Sequence, residues 1–182
     1  MTITVAKWTI DEYHQLVESG LLDDRQVELL KGMIIEMSPE GMPHVVYCTE
    51  SVKYLRILLR DKAEVREAHP ITLPNDSEPE PDIAIVAAPS RQYLAHHPYP
   101  EDIFWLIEYS NTTLLKDLNE KRQVYAEAGI IEYWVVNLKS SELIVFRDLD
   151  GDRYQSEIKL STGNISPLLF PDLQIEVSKL LS

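Results

Sequence analysis

Glu80-Pro81-Asp82-Ile83-Ala84-Ile85-Val86 and, further along, Ile103-Phe104-Trp105-Leu106-Ile107-Glu108-Tyr109-Ser110 decide the fold. Each is a short apolar run of the kind that forms a buried strand. Each carries one carboxylate near an end: Asp82 opens the first run and Glu108 nearly closes the second. Antiparallel pairing in one sheet sets the start of one strand beside the end of the other, so both carboxylates reach one rim. Like charges at short range cannot both ionise cheaply. A hard divalent cation is the simplest remedy, since Mg²⁺ takes one or two carboxylates and keeps its waters.

Around these runs the chain has 182 residues and an ordinary apolar fraction of 45%, which suits one compact domain over residues 1–182 with a real core. Charges interrupt every apolar segment, so none reaches membrane-spanning length and no membrane partner is expected. Met1 to Trp8 lacks the basic and long apolar regions of a secretory signal. The single cysteine, Cys48, excludes an internal disulfide framework and a Cys-rich zinc site. The chain reads as cytoplasmic. Its net charge of −13 counts against a broad duplex-binding face, because such faces neutralise phosphates. A local basic channel or a metal-mediated contact stays open.

Thr9-Ile10-Asp11-Glu12 has the form of a capping box, so a helix starts there and stops near Gly20. Gln26–Leu30 and Met33–Met37 flank Lys31-Gly32 as a hairpin, and the loop Ser38 to Pro43 follows. His44 to Arg60 is helical, with Val45, Val52, Leu55 and Leu59 as its apolar stripe and Lys53, Arg56 and Arg60 on its solvated side. Glu64–Ala68 and Ile71–Leu73 are extended, kept short by Pro70 and Pro74. A helix runs from Leu114 to Ala128 and is stopped by Gly129. Ile131–Val136, Glu142–Arg147 and Arg153–Ile158 are strands, the last two joined through Asp150-Gly151. A strand at Leu173–Val177 and a short turn end the chain. The fold class is α+β (mixed α/β): a mixed central sheet flanked by helices, with an N-terminal helix and hairpin.

Leu114, Leu118, Lys121, Tyr125 and Ala128 share one helix face, and it is the apolar one. A lysine there is unexpected, because a buried ammonium is costly unless paired. By itself the spacing favours an Asp117–Lys121 pair at i,i+4. Beside Asp82 and Glu108, the ammonium reads instead as reaching back to the carboxylate rim. The adjacent His96 and His97 sit in an aromatic loop and point apart too readily to share a metal. Trp105, Trp134 and Phe104 are core residues, and Cys48 is structural.

Pro81-Asp82, Glu108-Tyr109-Ser110, Asp117-x-x-x-Lys121 and Tyr125-x-x-x-Gly129-Ile130-x-x-Tyr133-Trp134 together resemble the Uma-type restriction-endonuclease family of the PD-(D/E)xK nuclease superfamily. Glu28-Leu29-Leu30-Lys31-Gly32 and His44 extend the resemblance over most of the chain. It implies a restriction-endonuclease-like core and a metal-dependent endonuclease acting on DNA. It also implies Mg²⁺ (or Mn²⁺) held by Asp82 and Glu108, with the main-chain carbonyl of Tyr109 completing the coordination. Ser110 stands where the superfamily has its lysine, so the resemblance makes Lys121, on the following helix, the substitute. It further implies that Glu28 approaches the metal and that His44 touches substrate phosphate or orients a carboxylate. Read from the residues alone, Glu28 is equally an outward-facing strand residue. His44 alone is more simply a solvent-facing helix end. The alternative function is a weakly active or inactive nuclease fold serving as a homo-oligomeric interaction module. A two-fold homodimer is expected in either case.

Overall fold

The computed structural model describes residues 4–181. Thr9 caps helix α1 (Ile10–Glu18) with both halves of the capping box formed, and Gly20 follows at φ +75°. Strands β1 (Val27–Leu30) and β2 (Met33–Glu36) pair antiparallel through Lys31 and Gly32, both at positive φ, as a two-residue hairpin turn requires. Gly32 is required here for a second reason. A Cβ on it would lie 2.8 Å from Lys7 Cβ and 2.9 Å from the Trp8 carbonyl oxygen.

Helix α2 (Met42–Leu59) begins with Pro43 in its first turn, two residues before the expected start. Its buried stripe is Cys48, Ser51, Val52, Leu55 and Leu59. Val45, expected in that stripe, is 43% exposed.

The central sheet has six strands in the order β3 (Glu64–Glu67), β4 (Ile83–Val86), β5 (Ile103–Ser110), β6 (Tyr133–Asn137), β7 (Glu142–Asp150) and β8 (Arg153–Leu160). All neighbours are antiparallel except β5 and β6. That parallel pair needs a crossover, and the crossover is the expected long helix. It comprises α3 (Leu114–Lys116), a π-helical turn at Asp117–Lys121, and α4 (Arg122–Glu127). Gly129 at φ +84° ends it. Ile71–Leu73 forms no strand: Leu73 makes one isolated bridge to Ser77 across a tight turn, and the Ile71 and Thr72 N–H groups go to the Pro79 and Pro98 carbonyls of neighbouring loops. The tail strand is shorter than expected, β10 (Ile175–Glu176) pairing with β9 (Asn164–Ile165) before α5 (Ser178–Leu181).

Residue parity along the strands sorts the core into two layers. Ile83, Ile85, Trp105, Ile107, Tyr109 and Trp134 pack under α2 and the tail. Ala84, Val86, Leu106, Tyr133 and Val135 pack under the crossover helix with Val124 and Tyr125. By the same alternation Asp82, Glu108 and Ser110 face the crossover side. Among the described residues no helix is long and apolar enough to cross a membrane.

Candidate active site

The register Ile83↔Ile107 sets Asp82 opposite Glu108, as the two apolar runs predict. The Asp82 N–H points at Glu108 Oε2 (3.4 Å), and Asp82 Oδ2 accepts the Tyr109 N–H at 2.6 Å. Leu106 and Ser110 bond through their main chains towards β6, Leu106 N–H to Glu132 O and Leu138 N–H to Ser110 O. Strand alternation therefore turns the main-chain groups of Tyr109 towards Asp82.

The crossover helix brings Lys121 to the same side. Its Nζ lies 2.7 Å from Glu108 Oε1 and 3.3 Å from Glu28 Oε2. Tyr125, one turn on, donates its hydroxyl to Glu108 Oε1 at 2.7 Å. Lys121 turns to Glu108 and Glu28 on the carboxylate rim, and the i,i+4 pair that spacing alone favours gives way: Asp117 Oδ2 accepts the Ser110 hydroxyl at 2.7 Å.

Glu28 does not face outward. Its side chain is fully buried, with Lys116 Nζ on Oε1 and the Glu80 N–H on Oε2. His44 does not face solvent either. Its side chain is 12% exposed and its Nε2 lies 3.0 Å from Asp82 Oδ2. Asp82, Glu108, Lys121, Glu28, His44 and Tyr109 thus all line one recess of about 60 Å³. Three further charged residues there have no role assigned from the sequence: Glu40, Glu80 and Lys116. Spacing carried a signal for Glu40, since Glu40 and His44 are four apart across a helix start. The histidine pair stays outside, with His96 stacked on Tyr99 in an exposed loop. Of the α2 cations, Lys53 pairs with Glu50 and Arg56 caps the Val65 carbonyl.

The electrostatics are those of a site short of positive charge. Six carboxylates line the recess (Glu28, Glu40, Glu80, Asp82, Glu108 and Asp117) against the ammonium groups of Lys116 and Lys121. Burial pushes the Glu108 carboxyl up to about 8; Asp82 and Asp117 add to the rise and Lys121 opposes it. Burial works against the Lys121 ammonium as well, but Glu108, Glu28, Asp117 and Asp82 outweigh it and hold the group charged. Burial raises Asp117 despite Lys121 and the Ser110 hydrogen bond, and raises Glu80 beside Glu28. Glu28 is also desolvated, yet Lys121 and Lys116 bring it below the usual carboxylate range. His44 is desolvated, yet its bond to Asp82 raises it. A divalent cation fits this donor set. The ligand atoms of Glu40, His44 and Asp82 lie within 4.8 Å of one another, Glu108 adjoins Asp82, and hard oxygen donors predominate.

The family model Uma2, described as "Putative restriction endonuclease", matches residues 10–178. The chain belongs to the Uma2 family. No curated protein matches it. A crystal structure described as a putative nuclease belonging to DUF820, from Anabaena variabilis, superposes with a TM-score of 0.72 at 16% identity, covering 95% of this chain and 97% of that one. At that identity the likeness shows a shared fold. The mixed sheet flanked by helices is thus the architecture of this Uma2 chain and of that protein alike.

Proposed function

We propose that this chain is a divalent-metal-dependent nuclease that hydrolyses phosphodiester bonds of DNA. The observation that carries the reading is the meeting of Asp82, Glu108 and Lys121 on one face of the sheet, in a recess with more carboxylate than ammonium. Asp82 and Glu108 would hold Mg²⁺ or Mn²⁺, with the Tyr109 carbonyl on one side and Glu40 and His44 on the other. The bound ion supplies a more acidic water and neutralises charge on the phosphoryl oxygens.

The side chains of the protein do the rest. Lys121, fixed between Glu108 and Glu28, presents a positive charge where negative charge develops in the transition state. Tyr125 holds Glu108 Oε1, and His44 holds Asp82 Oδ2, so neither carboxylate is free to rotate away. Glu28 positions the ammonium of Lys121 from the hairpin side. Asp82→Ala and Lys121→Ala should each abolish Mg²⁺-dependent cleavage of DNA while circular dichroism and Tm show a folded protein. Undiminished cleavage by both variants would remove the mechanism.

The net charge of −13 and the small recess favour a second reading, in which the fold acts as a homo-oligomeric interaction module with little turnover. Titration calorimetry with Mg²⁺ or Mn²⁺ separates the two. Binding at or below millimolar concentration supports the nuclease, and no heat at millimolar metal supports the module.

A further inference from the structure

Two lysines converge on Glu28, and they are five residues apart. On an α-helix, positions i and i+5 point about 140° from one another. Lys116 and Lys121 nonetheless meet the two oxygens of one carboxylate, Oε1 and Oε2 of Glu28. The π turn at Asp117–Lys121 makes this possible. Its wider winding brings residues five apart nearly one above the other. Such segments are uncommon and concentrate at functional sites.

The two ammonium groups are not equivalent. The Lys121 side chain is 5% exposed and bridges Glu108 and Glu28. Removing it would leave the buried Glu108 without its cation, while Glu28 would keep Lys116. The Lys116 side chain is 27% exposed and pairs with Glu28. If Lys116 withdraws, Glu28 keeps Lys121 and the Glu80 N–H, so no buried charge is stranded. The recess of about 60 Å³ has room for a few waters but not for a sugar-phosphate chain. Withdrawal of a group on its wall would widen the way for a phosphate to reach Asp82. Lys116 is the more exposed of the two cations on that wall, carried on a flexible stem with rotatable donors that suit a phosphate oxygen.

We infer that Lys116 is a substrate-binding residue, which leaves Glu28 to grip a non-bridging oxygen of a backbone phosphate while Lys121 stays fixed. Glu28 is then the latch that stores one cation and locks the other. This rests on the nuclease reading above.

The test compares full-length wild type, Lys116→Gln and Lys116→Arg. Cleavage of a DNA oligonucleotide is followed in Mn²⁺, and the salt dependence of its binding is measured in Ca²⁺. Lys116→Gln should raise KM about tenfold, the effect of losing one charge-assisted hydrogen bond, while kcat stays within about threefold. The slope of log affinity against log salt should fall by about one phosphate contact, and Lys116→Arg should restore both. If wild type cleaves and Lys116→Gln matches it in KM and salt slope, this inference alone fails. A loss of kcat at unchanged KM overturns it too, since Lys116 would then only support Lys121. If wild type neither cleaves nor binds DNA, the nuclease reading falls and this inference falls with it.

Discussion

Glu108 and Glu132 are both buried carboxylates at the margins of β5 and β6, and they are treated in opposite ways. Glu132 Oε1 receives Arg147 through Nε (2.8 Å) and Nη2, and the Trp134 indole at 2.6 Å; its Oε2 receives the Leu168 N–H at 2.7 Å. Both oxygens are engaged by good donors, and a guanidinium cancels the charge. Glu108 has two donors crowded on Oε1, whereas Oε2 meets the Asp82 N–H at 3.4 Å. Its neighbours Asp82 and Asp117 are negative. One site is closed and neutral. The other is left with acceptor capacity and surplus negative charge. Spare acceptor capacity on a buried glutamate is what the proposed metal site would use.

Substitutions can break this contrast. The largest effect is on activity. Asp82→Ala should lower Mg²⁺-dependent DNA cleavage by about 10³-fold or more, whereas Glu132→Ala should leave the rate per folded molecule unchanged. Next comes stability. Urea denaturation should show Glu132→Ala destabilised by about 3–5 kcal/mol, because Arg147 is left buried without its partner. Asp82→Ala should cost far less, since it relieves repulsion in the recess; an equal loss in both variants would end the comparison. Metal gives the third effect. Mg²⁺ or Mn²⁺ at about 100 times Kd should add about 2.7 kcal/mol to wild-type stability, undiminished in Glu132→Ala and absent in Asp82→Ala. The smallest effect belongs to exposed ion pairs. Lys53→Ala, which breaks the pair with Glu50, should shift stability by no more than about 0.5 kcal/mol.

The parts of the site that lie on regular strands were legible in the sequence. Asp82 and Glu108 are marked by the apolar runs that carry them, and period-two alternation fixes their common face. Lys121 was legible as a charge in an apolar helical stripe that reaches back to the rim of Asp82 and Glu108, although its second partner, Glu28, was not. The i,i+4 rule pointed to Asp117, but it ignores the π turn that rewinds those residues and the Ser110 hydroxyl that claims Asp117. Glu28 and His44 were visible as residues but ambiguous in direction. Their burial depends on how the hairpin and α2 dock on the sheet, a tertiary fact that no local pattern encodes. Lys116 carries an ordinary surface-residue identity and acquires meaning only from those same contacts, whereas Glu40 had its spacing to His44 as a local signal. Ile71–Leu73 has strand composition but spends its main-chain bonds on loop carbonyls and one tight-turn bridge, so composition misled there.

Glu28 is contributed by the β1–β2 hairpin, which forms its own two-stranded sheet apart from the six-stranded one. Main-chain bonds tie it down at Leu29–Glu78 and from the Gly32 N–H to Asp76, and Lys31 pairs with Glu127. Small peripheral units of this kind open at lower free energy than a central sheet. The lysine pair is thus braced by an element that is not part of the central sheet. Mild warming or dilute denaturant should silence turnover while the bulk of the β-structure still gives a native far-ultraviolet spectrum.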